Sequence, residues 1–283
     1  MGVVVKRWWK PLLCGVDLEL RQGVTALVGP AGAGKTLLLR ALLGLERPAE
    51  GTVEVLGERL PGAGARVRTR VGYVAQDLAL YPGLTPIELA ELHGELHAIW
   101  HVEELFQRLA RWQVPAREPV ERLAPLPRAL LALGLALAHA PSLLLVDLPT
   151  ALDAAGRAYL LDAVAGERGA LPVVLASARP HELEERCDRV VLLVAGRVRR
   201  DGAPAALAEG LLRLDLEGQA RPVLPPEVKC LRAGPGPRGA RWWVAGSPEG
   251  LAAAAALPGV VLSGPPGFEE AYLARVAEAA AAP

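Results

Sequence analysis

Hydrophobic and polar positions change rhythm several times along the chain. Val16, Leu18 and Leu20 alternate with polar partners in VDLEL, the period of a half-buried strand, and Gln22 and Gly23 then mark a turn. VTALV (24–28) is a continuous apolar run, as in a strand buried on both faces. A glycine-rich stretch follows, and then TLLLRALLGL (36–45) at helical spacing. TVEVLG (52–57) and RVGYVAQ (70–76) predict two more strands. Over about 86–140 the apolar period lengthens to three or four residues (Leu89, Leu92, Leu96, Ile99; Leu105, Leu109, Trp112), predicting a helical insertion punctuated by Pro115, Pro119, Pro125 and Pro127. SLLLVD (142–147), PVVLAS (172–177) and DRVVLLVAG (188–196) then return as buried-type strands separated by helices, the alternation of a parallel α/β sheet. Past about Pro204, short strands near 211–216, 228–231 and 241–244, with helices near Leu251 and over Phe268–Ala281, predict a small α+β appendage.

Composition narrows the class. The 283 residues suffice for one large domain or two ordinary ones without disulfides or metals. Lys+Arg and Asp+Glu both total 31, so no broad basic surface for nucleic acid is expected and any anion site must be local. Cys14, Cys187 and Cys230 lack the paired spacing of a disulfide framework or zinc site, which points to a reducing compartment. No signal peptide is read at MGVVVKRWWK, and the most apolar stretch, 129–146, is interrupted by His139 and Pro141 and does not read as a membrane span.

GPAGAGKT (Gly29, Pro30, Ala31, Gly32, Ala33, Gly34, Lys35, Thr36) matches GxxxxGKT at every fixed position and lies between a predicted strand and a predicted helix, the context the motif needs. Glycines let backbone amides curl around β- and γ-phosphates, Lys35 supplies a point charge, and Thr36 offers a hydroxyl to Mg²⁺. Nucleoside triphosphate binding follows. Asp147 closes SLLLVD, where a strand delivers a carboxylate to a metal-bound water beside such a loop.

With these residues in place, positions 3–200 resemble the ATP-binding cassette (ABC) family. The resemblance implies a P-loop NTPase fold of α/β class: a mostly parallel sheet core, an antiparallel β edge and a helical subdomain over about 84–140, the cassette spanning 1–203 and a C-terminal α+β domain 204–283. Gln76 of VGYVAQ stands like the family's Q-loop glutamine, which contacts Mg²⁺ and couples to the membrane subunit. PGLTPIELAELHG resembles the start of the helical subdomain, and CDRVVLLVAGRV the strand after the switch region. The tail PGFEEAYLARVAEA is similar to C-terminal extensions of the bacterial exporter branch. For adenine, the family stacks an aromatic ring; Trp8, preferred for its KR flank, or Trp9 stands near that place, and hydrophobic packing is the other reading of the pair.

Three family positions are changed. Counting back from Asp147 puts Leu123-Ala124-Pro125-Leu126-Pro127 where the signature LSGGQ offers a hydroxyl and amides to the partner's γ-phosphate; Ala124 has no hydroxyl, and Pro125 and Pro127 have no N–H. One lost donor of this kind costs ~10² to 10³ in rate. Leu148 occupies the place of the glutamate that polarises water, and general-base assistance contributes ~10² to 10⁴. Ala178 aligns with the switch histidine, three residues before His181, which reads as a surface helix-start residue. The loop 149–153 is one residue shorter than PTxxLD, and Asp77 and Asp153 read as solvated loop acids. The expectation is an ATP- and Mg²⁺-binding subunit of an exporter with slow or absent hydrolysis. It would sit in the cytoplasm at the inner face of the membrane, bound to an integral membrane permease and paired as a homodimer or with a second cassette. A fully active ATPase with an unrecognised base, and a soluble ATP-sensing scaffold, are the alternatives.

Overall fold

A computed structural model describes residues 2–7, 10–20, 22–218 and 220–281. Strands β1 (Gly2–Arg7) and β2 (Lys10–Asp17) run antiparallel. The strand expected over 16–20 therefore lies earlier than its alternation suggested: the last rung of the ladder joins Gly2 to Asp17, and residues 18–20 leave it while Leu18 and Leu20 still pack on the core. Strand β3 (Val24–Val28) leads through the glycine-rich turn into α1 (Lys35–Leu42). Short β4 (Glu50–Gly51) adds to β1, and β5 (Val53–Val55) and β6 (Glu58–Leu60) form a hairpin. After α2 (Gly64–Arg68) and β7 (Val71–Val74) comes a helical segment, α3 (Pro86–Leu96), α4 (Val102–Arg111) and α5 (Pro125–Ala138). The chain returns through β8 (Leu143–Asp147), α6 (Ala154–Glu167), β9 (Val173–Ser177), β10 (Arg189–Val194) and β11 (Arg197–Gly202).

The central sheet has the order β11-β10-β3-β9-β8-β7. Every pairing from β10 to β7 is parallel, and β11 is an antiparallel edge. Period-2 alternation assigns its two faces. Leu27, Leu143, Leu145, Val174, Val191 and Leu193 point to the side covered by α1 and the β5–β6 hairpin, whereas Ala26, Val28, Leu144, Val146, Leu175 and Leu192 point to the side covered by α5 and α6. Both faces are dry, which is why these strands read as unbroken apolar runs.

Helix α3 begins with a reciprocal cap: the Thr85 hydroxyl accepts the Glu88 N–H at 3.3 Å and the Glu88 carboxylate accepts the Thr85 N–H at 2.8 Å, with Pro86 at the first helical position. Its expected apolar stripe does not continue. Leu96 and Ile99 are exposed, and α3 turns His93 and His97 inward instead. His97 stacks on His139 (4.6 Å between centroids), His93 (6.2 Å) and Trp100 (5.6 Å).

The C-terminal segment folds as β12 (Leu211–Glu217), β13 (Lys229–Gly236), β14 (Gly239–Ala245), α7 (Pro248–Ala255), β15 (Val260–Gly264) and α8 (Phe268–Ala281). An antiparallel sheet of order β13-β14-β12-β15 covers a small core of Leu214, Leu216, Val228, Val244 and Ala254. Strand β15 was not expected from sequence; its side chains are mostly exposed, and its pairing with β12 defines it. Helix α8 packs between this sheet and the cassette: its Glu270 pairs with Arg241 of β14 at 3.1 Å, and Phe268, Ala271, Tyr272 and Ala274 join Leu211 and Trp243 in the main core. Buried Arg275 anchors it by donating to the carbonyls of Leu207 and Glu209.

Candidate functional site

Between Val28 and Lys35 the chain makes a turn that only glycine can complete at two points. A Cβ on Gly29 would meet the Leu193 carbonyl oxygen of β10 at 2.1 Å, and Gly34 caps α1 at φ 104°, in the left-handed region. The first N–H groups of α1 have no intrahelical partner, and the helix dipole adds positive potential there. They open on a cleft of about 490 Å³ whose other walls are the C-terminal ends of the sheet strands.

The cleft gathers residues far apart in sequence. Ala31, Gly32, Gly34, Lys35 and Thr36 come from the turn, Gln76 from beyond β7, Asp147 and Leu148 from β8 and its exit, and Ala178 from beyond β9. Lys35 Nζ donates to the carbonyls of Gly29 (2.8 Å) and Pro30 (3.0 Å), so its charge sits at the centre of the turn. Burial holds this ammonium below the ordinary lysine value, with Asp147 opposing part of the shift. Thr36 Oγ1 donates to Asp147 Oδ2 at 2.5 Å. Burial pushes the Asp147 carboxyl above its ordinary range, against the pull of the Thr36 hydroxyl and Lys35. A buried carboxylate bonded to the Thr36 hydroxyl, in a cleft that Gln76 also lines, is an oxygen-donor set that fits Mg²⁺.

Leu148 is buried in the main core, and its N–H donates to the Ala176 carbonyl at 3.0 Å. An alkyl group thus follows Asp147 into the cleft wall. Ala178 lines the same wall and offers no ring nitrogen. His181 lies outside the lining, its Nδ1 3.6 Å from Glu269 Oε1 of α8. The Asp153 carboxylate accepts the Gly156 N–H at 2.7 Å and so caps α6. Asp153 is exposed, as the solvated loop acid expected from sequence would be, and its place just before α6 gives it the capping role as well. Asp77 is exposed and outside the lining, and reaches Asp147 only through its charge.

The segment aligned with the signature forms the N-terminus of α5. Ala124 is the cap residue and makes no side-chain cap bond. Among the first three helical residues only Leu126 has an N–H, because Pro125 and Pro127 flank it. Arg128 folds back onto the carbonyls of Val120 (2.8 Å), Glu121 (3.2 Å) and Leu123 (3.3 Å). Trp8 and Trp9 lie outside the described residues.

Three arginines line the cleft that were not singled out in the sequence, Arg40, Arg157 and Arg179, and the last two lie far from the phosphate turn in the chain. Buried Arg157 donates from Nε to Glu182 Oε1 at 2.6 Å and from Nη1 to the Leu152 carbonyl. Arg179, directly after Ala178, has a half-exposed side chain whose Nη1 is 3.9 Å from the same Glu182 oxygen. Neither belongs to a motif, and only the fold brings them to the phosphate turn.

A sequence profile described as "ABC transporter" matches residues 13–151. The Nod factor export ATP-binding protein I of Azorhizobium caulinodans is 32% identical over 219 residues, covering 74% of this chain and 68% of that protein. The molybdenum import ATP-binding protein ModC of Thiobacillus denitrificans is 36% identical over 219 residues, covering 74% of this chain and 59% of that protein. Among solved structures, a dimeric bacterial ABC transporter cassette superposes with a TM-score of 0.63 at 23% identity, over 71% of this chain and 96% of that one.

Proposed function

The chain belongs to the ABC transporter ATP-binding proteins, and from that premise we propose that it holds Mg-ATP at a sound phosphate loop and hydrolyses it slowly. It does so as a cytoplasmic subunit of an exporter, docked on a membrane permease and paired as a homodimer or with a second cassette. The observation that carries this reading is a contrast within one cleft: Lys35, Thr36 and Asp147 are assembled, while the residue after Asp147 is the buried Leu148. Residues Gly29, Pro30, Ala31, Gly32, Ala33 and Gly34, with Lys35 and Thr36, would cradle the phosphates, and Thr36, Gln76 and Asp147 would hold Mg²⁺. Bound Mg²⁺ neutralises charge on the β- and γ-phosphate oxygens. Ground-state contacts thus persist while the groups that act near the transition state are missing, so ATP shifts a conformational equilibrium more than it is consumed. The weak N-terminus of α5, with one amide and two prolines, supports slow turnover at a partner's site as well.

Export is supported by the likeness of the C-terminal extension to those of exporters and by the Nod factor relative, one of two relatives named for opposite directions. The division into a cassette over 1–203 and a C-terminal domain over 204–283 belongs to the same reading. Among the described residues no helix is long and apolar enough to cross a membrane.

The test is calorimetric titration with Mg-ATP and phosphate release on the same preparation, for the parent and Lys35→Ala. Binding that Lys35→Ala weakens at least about tenfold, with little phosphate release from the parent, is expected. Rapid release abolished by Lys35→Ala would overturn slow turnover and leave binding intact; no uptake at millimolar Mg-ATP would overturn both.

A further inference from the structure

The cleft holds four cationic side chains, Lys35, Arg40, Arg157 and Arg179, and three of them are committed. Lys35 is bonded to two carbonyls of its own turn. Arg40 Nε lies 3.3 Å from Glu46. Arg157 is buried and holds Glu182 and the Leu152 carbonyl. Arg179 is about as exposed as Arg40, 53% against 50%, but its acidic neighbour is 3.9 Å away and is already held by Arg157 at 2.6 Å. An exposed pair at that separation contributes little, so the guanidinium is easily redirected.

Its backbone is anchored. The Arg179 N–H donates to Ser177 Oγ at 2.9 Å, the Ser177 hydroxyl donates to the Arg179 carbonyl at 3.3 Å, and buried Pro180 follows. The sheet order fixes where this anchored turn stands. Strand β9 lies between β3, which feeds the phosphate turn, and β8, which ends in Asp147. A phosphate chain running from the Lys35 amide nest to a cation on Asp147 therefore passes the end of β9.

We propose that Arg179 binds the γ-phosphate and makes this site prefer a nucleoside triphosphate to a diphosphate. The proposal rests on the reading of the cleft as a nucleotide site and names what discriminates there. Five N–H donors in a planar fork suit the terminal phosphate oxygens. A cation placed there, with alkyl Leu148 where a base would stand, stabilises bound ATP without activating water. Arg179 would thus restore, by charge, a terminal-phosphate contact that neither Ala178 nor the prolines of α5 can make.

Titration of the full-length chain with Mg-ATP and Mg-ADP, for the parent, Arg179→Ala, Arg179→Lys and Lys35→Ala, tests this. The parent should favour ATP. Arg179→Ala should lose about 10- to 100-fold in ATP affinity while ADP affinity moves less than about threefold, and Arg179→Lys should recover part of the loss. Unchanged melting of nucleotide-free Arg179→Ala would show that the fold is intact. An unchanged ratio of ATP to ADP affinity in Arg179→Ala, or a parent that binds both equally, overturns the assignment of Arg179 while Lys35-dependent ATP binding preserves the nucleotide site. A parent that binds neither overturns both.

Discussion

Asp147 shows how a functional residue can be a structural burden. It is 2% exposed, and burial raises its carboxyl above the ordinary range despite the hydrogen bond from Thr36 and the charge of Lys35. A carboxyl raised on folding costs stability once the unfolded chain would ionise it: the cost is absent below the unfolded value, grows as pH rises from the unfolded value to the folded one, and is complete above the folded value. The nucleotide-free Asp147→Asn variant should therefore melt above the parent at pH 7, with the two converging in acid. The same variant should lose the extra melting temperature that Mg²⁺ adds to ATP. A differential melting series with and without Mg-ATP checks both, and an Asn variant less stable than the parent at pH 7 would contradict the account.

At the scale of elements, Leu89 and Ala90 join α3 to the main core, while the end of α3 meets the end of α5 through rings. His93, His97 and Trp100 from α3 and its exit stack with His139 at the end of α5. Neither ring nitrogen of His139 makes a well-formed hydrogen bond. The histidines share a cavity of about 280 Å³ with Tyr73, the Arg68 side chain and apolar residues such as Leu78 and Leu135, and no carboxylate lines it. Burial, with the neighbouring His97, depresses His93 and His139 below the ordinary histidine value. The unfolded chain therefore binds these protons first, so the stabilisation is complete above the unfolded histidine value, about 6.5, and declines as pH falls through it. The melting temperature should drop between about pH 7 and about pH 5, with a flatter profile for His139→Phe. A parent profile flat across that window would refute the account. Apolar spacing alone suggested Leu96 and Ile99 for this face, because a period cannot distinguish a leucine from a buried histidine on the adjoining helical position.

At the scale of the molecule, α8 ties the C-terminal segment to the cassette. Four of its residues enter the main core, His181 beyond β9 faces its Glu269, and Arg275, 4% exposed, fills two carbonyl acceptors between 207 and 209. Arg275→Ala would leave the carbonyl of buried Leu207 without this donor and free that of exposed Glu209 to meet water, at a cost of about 1 to 3 kcal/mol. Urea unfolding should show the loss as a lower midpoint of the whole cassette transition. A separate early transition confined to the C-terminal sheet would mean that α8 does not couple the two parts.

Local chemistry made much of this protein legible in the order of its residues. GPAGAGKT, the carboxylate ending SLLLVD and the apolar runs of β3, β8, β9 and β10 each need only their neighbours in sequence, and Leu148 cannot accept a proton in any fold. Tertiary structure decided what depends on adjacency across the sheet. Strand β9 comes between β3 and β8 although it follows both in the chain, and that insertion brings Arg179 to the phosphate turn. Folding likewise sent His181 to α8 and drew α8 into the main core. Periodicity reports which way a side chain faces, whereas its partners are set by which strands lie side by side, and no linear pattern carries that order.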